Sequence, residues 1–129
     1  MTEFRTRVPL TEKEGEAIMW GLGQVVNYPD RAVLSETDPL GILLDEGFSR
    51  EAIMKTGNDM FQVAHGDWLS DPLSNLEKAI LRVCVENSTW VTCYVEHSPS
   101  IAGQAKATLR SLAAKLEAFD IEVNFIPAD

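Results

Sequence analysis

Residues 99–119, PSIAGQAKATLRSLAAKLEAF, constrain the fold more than any other stretch. Apolar side chains recur at Ile101, Ala105, Leu109, Leu112, Leu116 and Phe119, at steps of four, four, three, four and three. That is the period of an α-helix with one face on a core. Ser98 is placed to cap it, and Pro99 fills the first helical position, where the missing N–H costs nothing. Leu109, Leu112 and Leu116 are then expected in the core. Lys106, Arg110 and Lys115 are expected in solvent, as a local basic stripe.

Segments on either side of this helix read as strands. TWVTCYVEH (89–97) is dense in β-branched and aromatic residues. In IEVNFI (121–126), Ile121, Val123 and Phe125 share one face, with Glu122 and Asn124 on the other. Strand, long helix, strand predicts a right-handed parallel crossover. At the other end FRTRVPL (4–10) alternates in the same way, and Pro9 suits an edge. The expected fold is α+β in a single domain, 1–129. It has a small sheet of about three strands (4–10, 89–97, 121–126) packed with four or five helices.

Helix-start signals fill the middle of the chain. Thr11 and Glu14 have the spacing of a capping box, which starts a helix near Glu12, with Ile18, Leu22 and Val25 on its stripe. Gly15, Gly21 and Gly23 weaken that helix, which points to close approach by another backbone or to an early end. NYPDRAVLSETDP reads as a long connection. Asp38-Pro39 starts a short helix that Gly47 ends, Ser49 caps a second over 50–64, and HGDWLSDP is a turn-rich link. Ser74 and Glu77 repeat the capping box and open a helix with the stripe Leu76, Ile80, Val83 and Cys84. A hairpin through ENST is the alternative for 80–97.

Composition excludes several classes. At 129 residues and 45% hydrophobic, the chain can bury one modest core. Eleven basic against twenty acidic residues give −9, a poor field for phosphate backbones. No nucleic-acid partner is expected. The first twenty residues lack the apolar run of a signal peptide, and no stretch approaches the ~18 apolar residues of a membrane helix. The expectation is a soluble, cytoplasmic protein with no membrane partner. Asn87-Ser88-Thr89 matches a glycosylation acceptor but means nothing without export.

Candidate chemistry gathers at VTCYVEHSPSIAG (91–103). A strand running into a helix is where open α/β sheets bind ligands, and free N–H groups there attract anions. His97, Ser98, Ser100 and Gly103 are therefore the candidate ligand-binding residues. The simpler reading is that the serines satisfy a helix end and His97 is a solvated strand terminus. Cys93 and His97 cannot act as a nucleophile and base, because four strand residues span about 13 Å. Cys84 and Cys93 read as buried, reduced and unreactive. A zinc site would need Cys84, Cys93, His65 and His97 to converge, and their spacing is no compact ligand pattern; no metal or cofactor is expected. Gly21-x-Gly23 lacks the third glycine and the preceding strand of a dinucleotide fingerprint. ILLDEGFSREAI (42–53) has the outline of a helix-turn-helix. Leu43 stands where a small residue is usual, Glu46 where an apolar one is usual, and a plain αα corner is the better reading. His65, in the loop His65-Gly66-Asp67-Trp68, could offer a general base, but no spacing places a second catalytic residue near it. Trp20, Trp68 and Trp90 read as core rather than as an aromatic pocket.

Two functions from different classes remain. The first is a small acidic protein acting non-catalytically, by binding a basic partner protein or a second copy of itself. The alternative is a small-molecule or anion-binding enzyme that uses the turn at 97–103.

Overall fold

The computed structural model describes residues 7–26, 39–65, 68–70, 73–86 and 99–123. Their order is β1 (Arg7–Pro9), α1 (Glu12–Val26), α2 (Pro39–Asp45), α3 (Arg50–His65), β2 (Trp68–Ser70), α4 (Asn75–Glu86) and α5 (Pro99–Leu116), followed by a 3-10 turn at Glu117–Phe119. Of the described residues 79% are helical, which overturns the expected α+β architecture with a three-stranded sheet.

Each expected strand fares differently. Of 4–10, Arg7–Pro9 is extended and pairs antiparallel with Trp68–Ser70, Val8 opposite Leu69. This ribbon is three residues long and forms no sheet layer, and its second arm lies in the segment read as a turn-rich link. The strand expected at 89–97 lies outside the described residues. Of the strand expected at 121–126, residues 121–123 form no ladder and 124–126 lie outside the described residues, so the β-α-β crossover has no support among the described residues. The alternation there is nonetheless present: Ile121 is buried, Glu122 exposed and Val123 half-buried. An extended chain resting on an apolar surface alternates in this way without pairing, because period two reports backbone extension and not hydrogen bonding.

Helices α1, α3 and α4 start where their caps place them; Asp38 and Ser98, the caps expected for α2 and α5, lie outside the described residues. The Thr11 N–H donates to Glu14 Oε1 at 2.7 Å and the Glu14 N–H to Thr11 Oγ1 at 3.2 Å. Ser74 and Glu77 repeat the exchange at 2.9 and 3.1 Å, and the Ala52 N–H donates to Ser49 Oγ at 3.1 Å. Each pair satisfies N–H groups that a helix start leaves without intrahelical partners. Gly47 ends α2 with φ 99°, a backbone that side chains rarely adopt. The N–H of Phe48 then reaches back to the Leu43 carbonyl at 3.4 Å. The segment 39–65 is thus an αα corner. Residues 75–86 are helix and not the arm of a hairpin.

Two helices organise the core. Both α1 and α4 pack against each of the other four α-helices described. They cross at Gly21, where a Cβ would lie 2.5 Å from Cys84 Sγ and 3.0 Å from Cys84 Cα. Close approach by another backbone is therefore the reason for this glycine. Around the crossing Ile18, Leu22, Ile80 and Val83 are fully buried. On α5, Leu109, Leu112 and Leu116 are buried as the period requires, and burying one leucine side chain stabilises by about 1.5 to 3 kcal/mol. Phe119 and Ile121 carry the same surface past the helix end.

Candidate functional site

Among the described residues, two clusters bring charged side chains of separate elements together, and polar chemistry can occur there. The first is at the start of α1. Glu14, beyond closing its capping box, is only 1% exposed and is the buried charged residue of the described core. Its carboxylate reaches α5: Ser111 Oγ donates to Oε2 at 2.9 Å and Lys115 Nζ to Oε1 at 2.5 Å. Burial alone would raise its pKa. The Lys115 ammonium, the Thr11 N–H, the Ser111 hydroxyl and the Thr11 hydroxyl together outweigh that and hold the carboxyl below its ordinary value of 4.5. A buried carboxylate so held is a poor base, and it fastens α1 to α5.

This clasp corrects the basic stripe. Lys115 is not a solvent-facing cation; its side chain is 25% exposed and ends on Glu14. Lys106 is half-buried, and Arg110 is exposed as expected. The helical period sorts apolar from polar positions but cannot distinguish a polar side chain facing water from one reaching a buried partner. Glu14 already had a local role in the capping box, so its spacing gave no sign of the second.

The second place is an open cleft of about 330 Å³. Helix α4 lines it with Lys78, Ala79 and Arg82, the segment after the 3-10 turn with Asp120, Ile121 and Glu122, and the end of α2 with Glu46. Arg82 Nη2 donates to Glu46 Oε1, and Arg82 Nε stands 3.8 Å from Glu86 Oε2. Buried Nε makes no hydrogen bond of its own. Asp120 takes a left-handed backbone with φ 60°. Its N–H and that of Ile121 return to the carbonyls of Glu117 and Leu116 at 3.1 and 3.2 Å. A helix end usually gives such a position to glycine; here it sets a carboxylate on the cleft wall. Sequence reasoning missed this group. One sign was present: Glu46 is the acidic residue standing where a helix-turn-helix carries an apolar one, and it is there as the partner of Arg82.

The candidates read from sequence lie elsewhere. Ser100 and Gly103 are exposed on α5 and do not line the cleft. A Cβ on Gly103 would meet nothing within 4 Å, so no close contact demands glycine there. His97 and Ser98 lie outside the described residues, as do Cys93 and Trp90. Cys84 is buried, its Sγ 3.9 Å from the Ile18 carbonyl, and burial pushes its thiol up to about 12. A thiol in that state is inert. Trp20, expected in the core, is 40% exposed. Among the described residues, no group of three or more His, Cys, Asp or Glu is placed to share a metal ion. No helix among them is long and apolar enough to cross a membrane.

The chain matches no protein-family model, and no curated protein and no solved structure shows significant similarity to it.

Proposed function

We propose that this chain is a small acidic protein that acts by binding a basic partner protein, without catalysis. The observation that carries the reading is how its charges are engaged. The chain has nine more acidic than basic residues, for a net −9. Several of its few cations are tied to its own carboxylates: Lys115 to Glu14, Arg82 to Glu46, and Lys13 to Glu16. The exposed carboxylates of Asp45, Glu51, Asp59 and Glu117 therefore face solvent in excess. A field of that sign steers cationic surfaces toward the protein and speeds their encounter.

Zero-length carbodiimide cross-linking in the native cell extract tests this, since it joins carboxylates to lysine amines in contact. The expected result is a discrete basic partner whose cross-links map to acidic residues of this chain, with a yield that falls as salt rises. Cross-links that scatter over many proteins, or a yield indifferent to salt, would contradict it.

A further inference from the structure

The cleft beside α4 has a charge pattern that the fold itself does not use. Arg82 and Glu46 neutralise each other across it. The remaining charged groups on its walls are Lys78, Asp120 and Glu122, and among the described residues none of their side chains makes an ion pair or hydrogen bond. Opposite charges thus line one small cleft without meeting. Unpaired, they leave one positive and two negative points for an incoming molecule to match.

We infer that this cleft binds a free basic α-amino acid, of the lysine or arginine class. Such a molecule carries one carboxylate, one α-ammonium and one side-chain cation, the complement of Lys78, Asp120 and Glu122 taken together. Asp120 and Glu122, on either side of buried Ile121, both line the cleft. The ligand's two cations go to these carboxylates and its carboxylate to Lys78. Ala79 and Ile121 line the same cleft and offer an apolar surface to the methylene stem. A volume of about 330 Å³ lies at the small end of ligand pockets and suits one amino acid. The cleft is open, and its charges are partly solvated, so affinity in the millimolar range is expected. The inference does not depend on the protein-partner reading.

Asp120 provides a clean variant. Glycine is the residue preferred at its left-handed backbone, so Asp120→Gly removes the carboxylate and leaves the fold intact. Amide shifts of the full chain are followed by NMR during titration with L-lysine and L-arginine. The comparison compounds are cadaverine, which lacks the carboxylate, Nα-acetyl-L-lysine, which lacks the α-ammonium, and L-glutamate. Saturable shifts confined to residues 78–82 and 119–123 are expected for the two basic amino acids. Cadaverine and Nα-acetyl-L-lysine should each bind about tenfold more weakly, the equivalent of one lost charge contact. Asp120→Gly and Lys78→Gln should weaken lysine by a similar factor, and Lys78→Gln should leave cadaverine unchanged. Glu51→Gln, which like Asp120→Gly removes one negative charge but at an exposed position of α3, should leave every titration unaltered. Absence of saturable shifts overturns the inference, as does cadaverine binding as well as lysine, or Asp120→Gly binding as the parent does. Stronger binding of Nα-acetyl-L-lysine than of lysine would also overturn it, by assigning the cleft to the basic end of a peptide.

Discussion

Helix α1 is held at its two ends by different physics. Near its C-terminal end Gly21 lies against Cys84 of α4, in a dry contact that leaves no room for a Cβ. At its N-terminal end Glu14 is buried and tied to Ser111 and Lys115 of α5. The first contact depends on shape alone. It answers to added volume and ignores salt and pH. The second depends on a charge kept out of water, and it holds only while the carboxylate is ionised and its donors are in place. One helix can therefore be loosened from α4 or from α5 by separate means.

The largest effect belongs to the steric end. Gly21→Val puts branched carbon where sulfur already lies 2.5 Å from the first added atom, with backbone 3.0 Å away. Overpacking against a backbone cannot be relieved by a rotamer change, and a loss of more than about 3 kcal/mol is expected. Urea melts measure it, and the loss should be the same at neutral and at mildly acid pH. A loss below about 1 kcal/mol would mean that α1 and α4 do not cross this closely.

The ionic end comes next. Lys115→Met keeps the stem and removes the ammonium, leaving Glu14 with the Thr11 N–H and the hydroxyl donors. A cost of about 2 kcal/mol is expected, the scale of a hydrogen bond to a charged group. The pKa of Glu14 should also move up, because the largest of the lowering contributions has gone. NMR titration of the Glu14 carboxyl reads that shift directly. An unchanged titration would remove Lys115 from the clasp. Arg110→Ala, on the exposed side of the same helix, should cost less than about 0.5 kcal/mol. A larger loss there would show that the helix is rotated from the position described.

How much of this was legible depended on whether a residue's role was local. Thr11 with Glu14, and Ser74 with Glu77, announced helix starts because a cap is decided within one turn. The α5 stripe placed Leu109, Leu112 and Leu116 because burial of a helix face follows its own period. Gly21 could be read as close approach, although not that Cys84 was its neighbour. What failed was non-local. Alternation at 121–123 implied a ladder, whereas pairing requires a second strand that no pattern within the segment can supply. Trp68–Ser70, the arm that does pair, was hidden between turn residues. The cleft joins side chains from three separate segments, and nothing in the spacing of Lys78, Asp120 and Glu122 announces that α4 and the end of α5 meet.

The clasp at Glu14 can be tested most directly by stability against pH. A carboxyl whose folded pKa lies below its unfolded value stabilises the fold fully above that unfolded value, near 4.5. The contribution is lost as pH falls through the lowered folded value. Glu14→Gln mimics the protonated form at every pH and keeps the size of the side chain. Urea melts of the parent and of Glu14→Gln, taken in parallel from neutral to acid, measure the difference. The predicted result is a gap of about 1 to 3 kcal/mol at neutral pH that closes as the pH falls below 4.5, while the Gly21→Val gap stays constant over the same range. A Glu14→Gln gap that is absent, or that does not change with pH, would contradict the account.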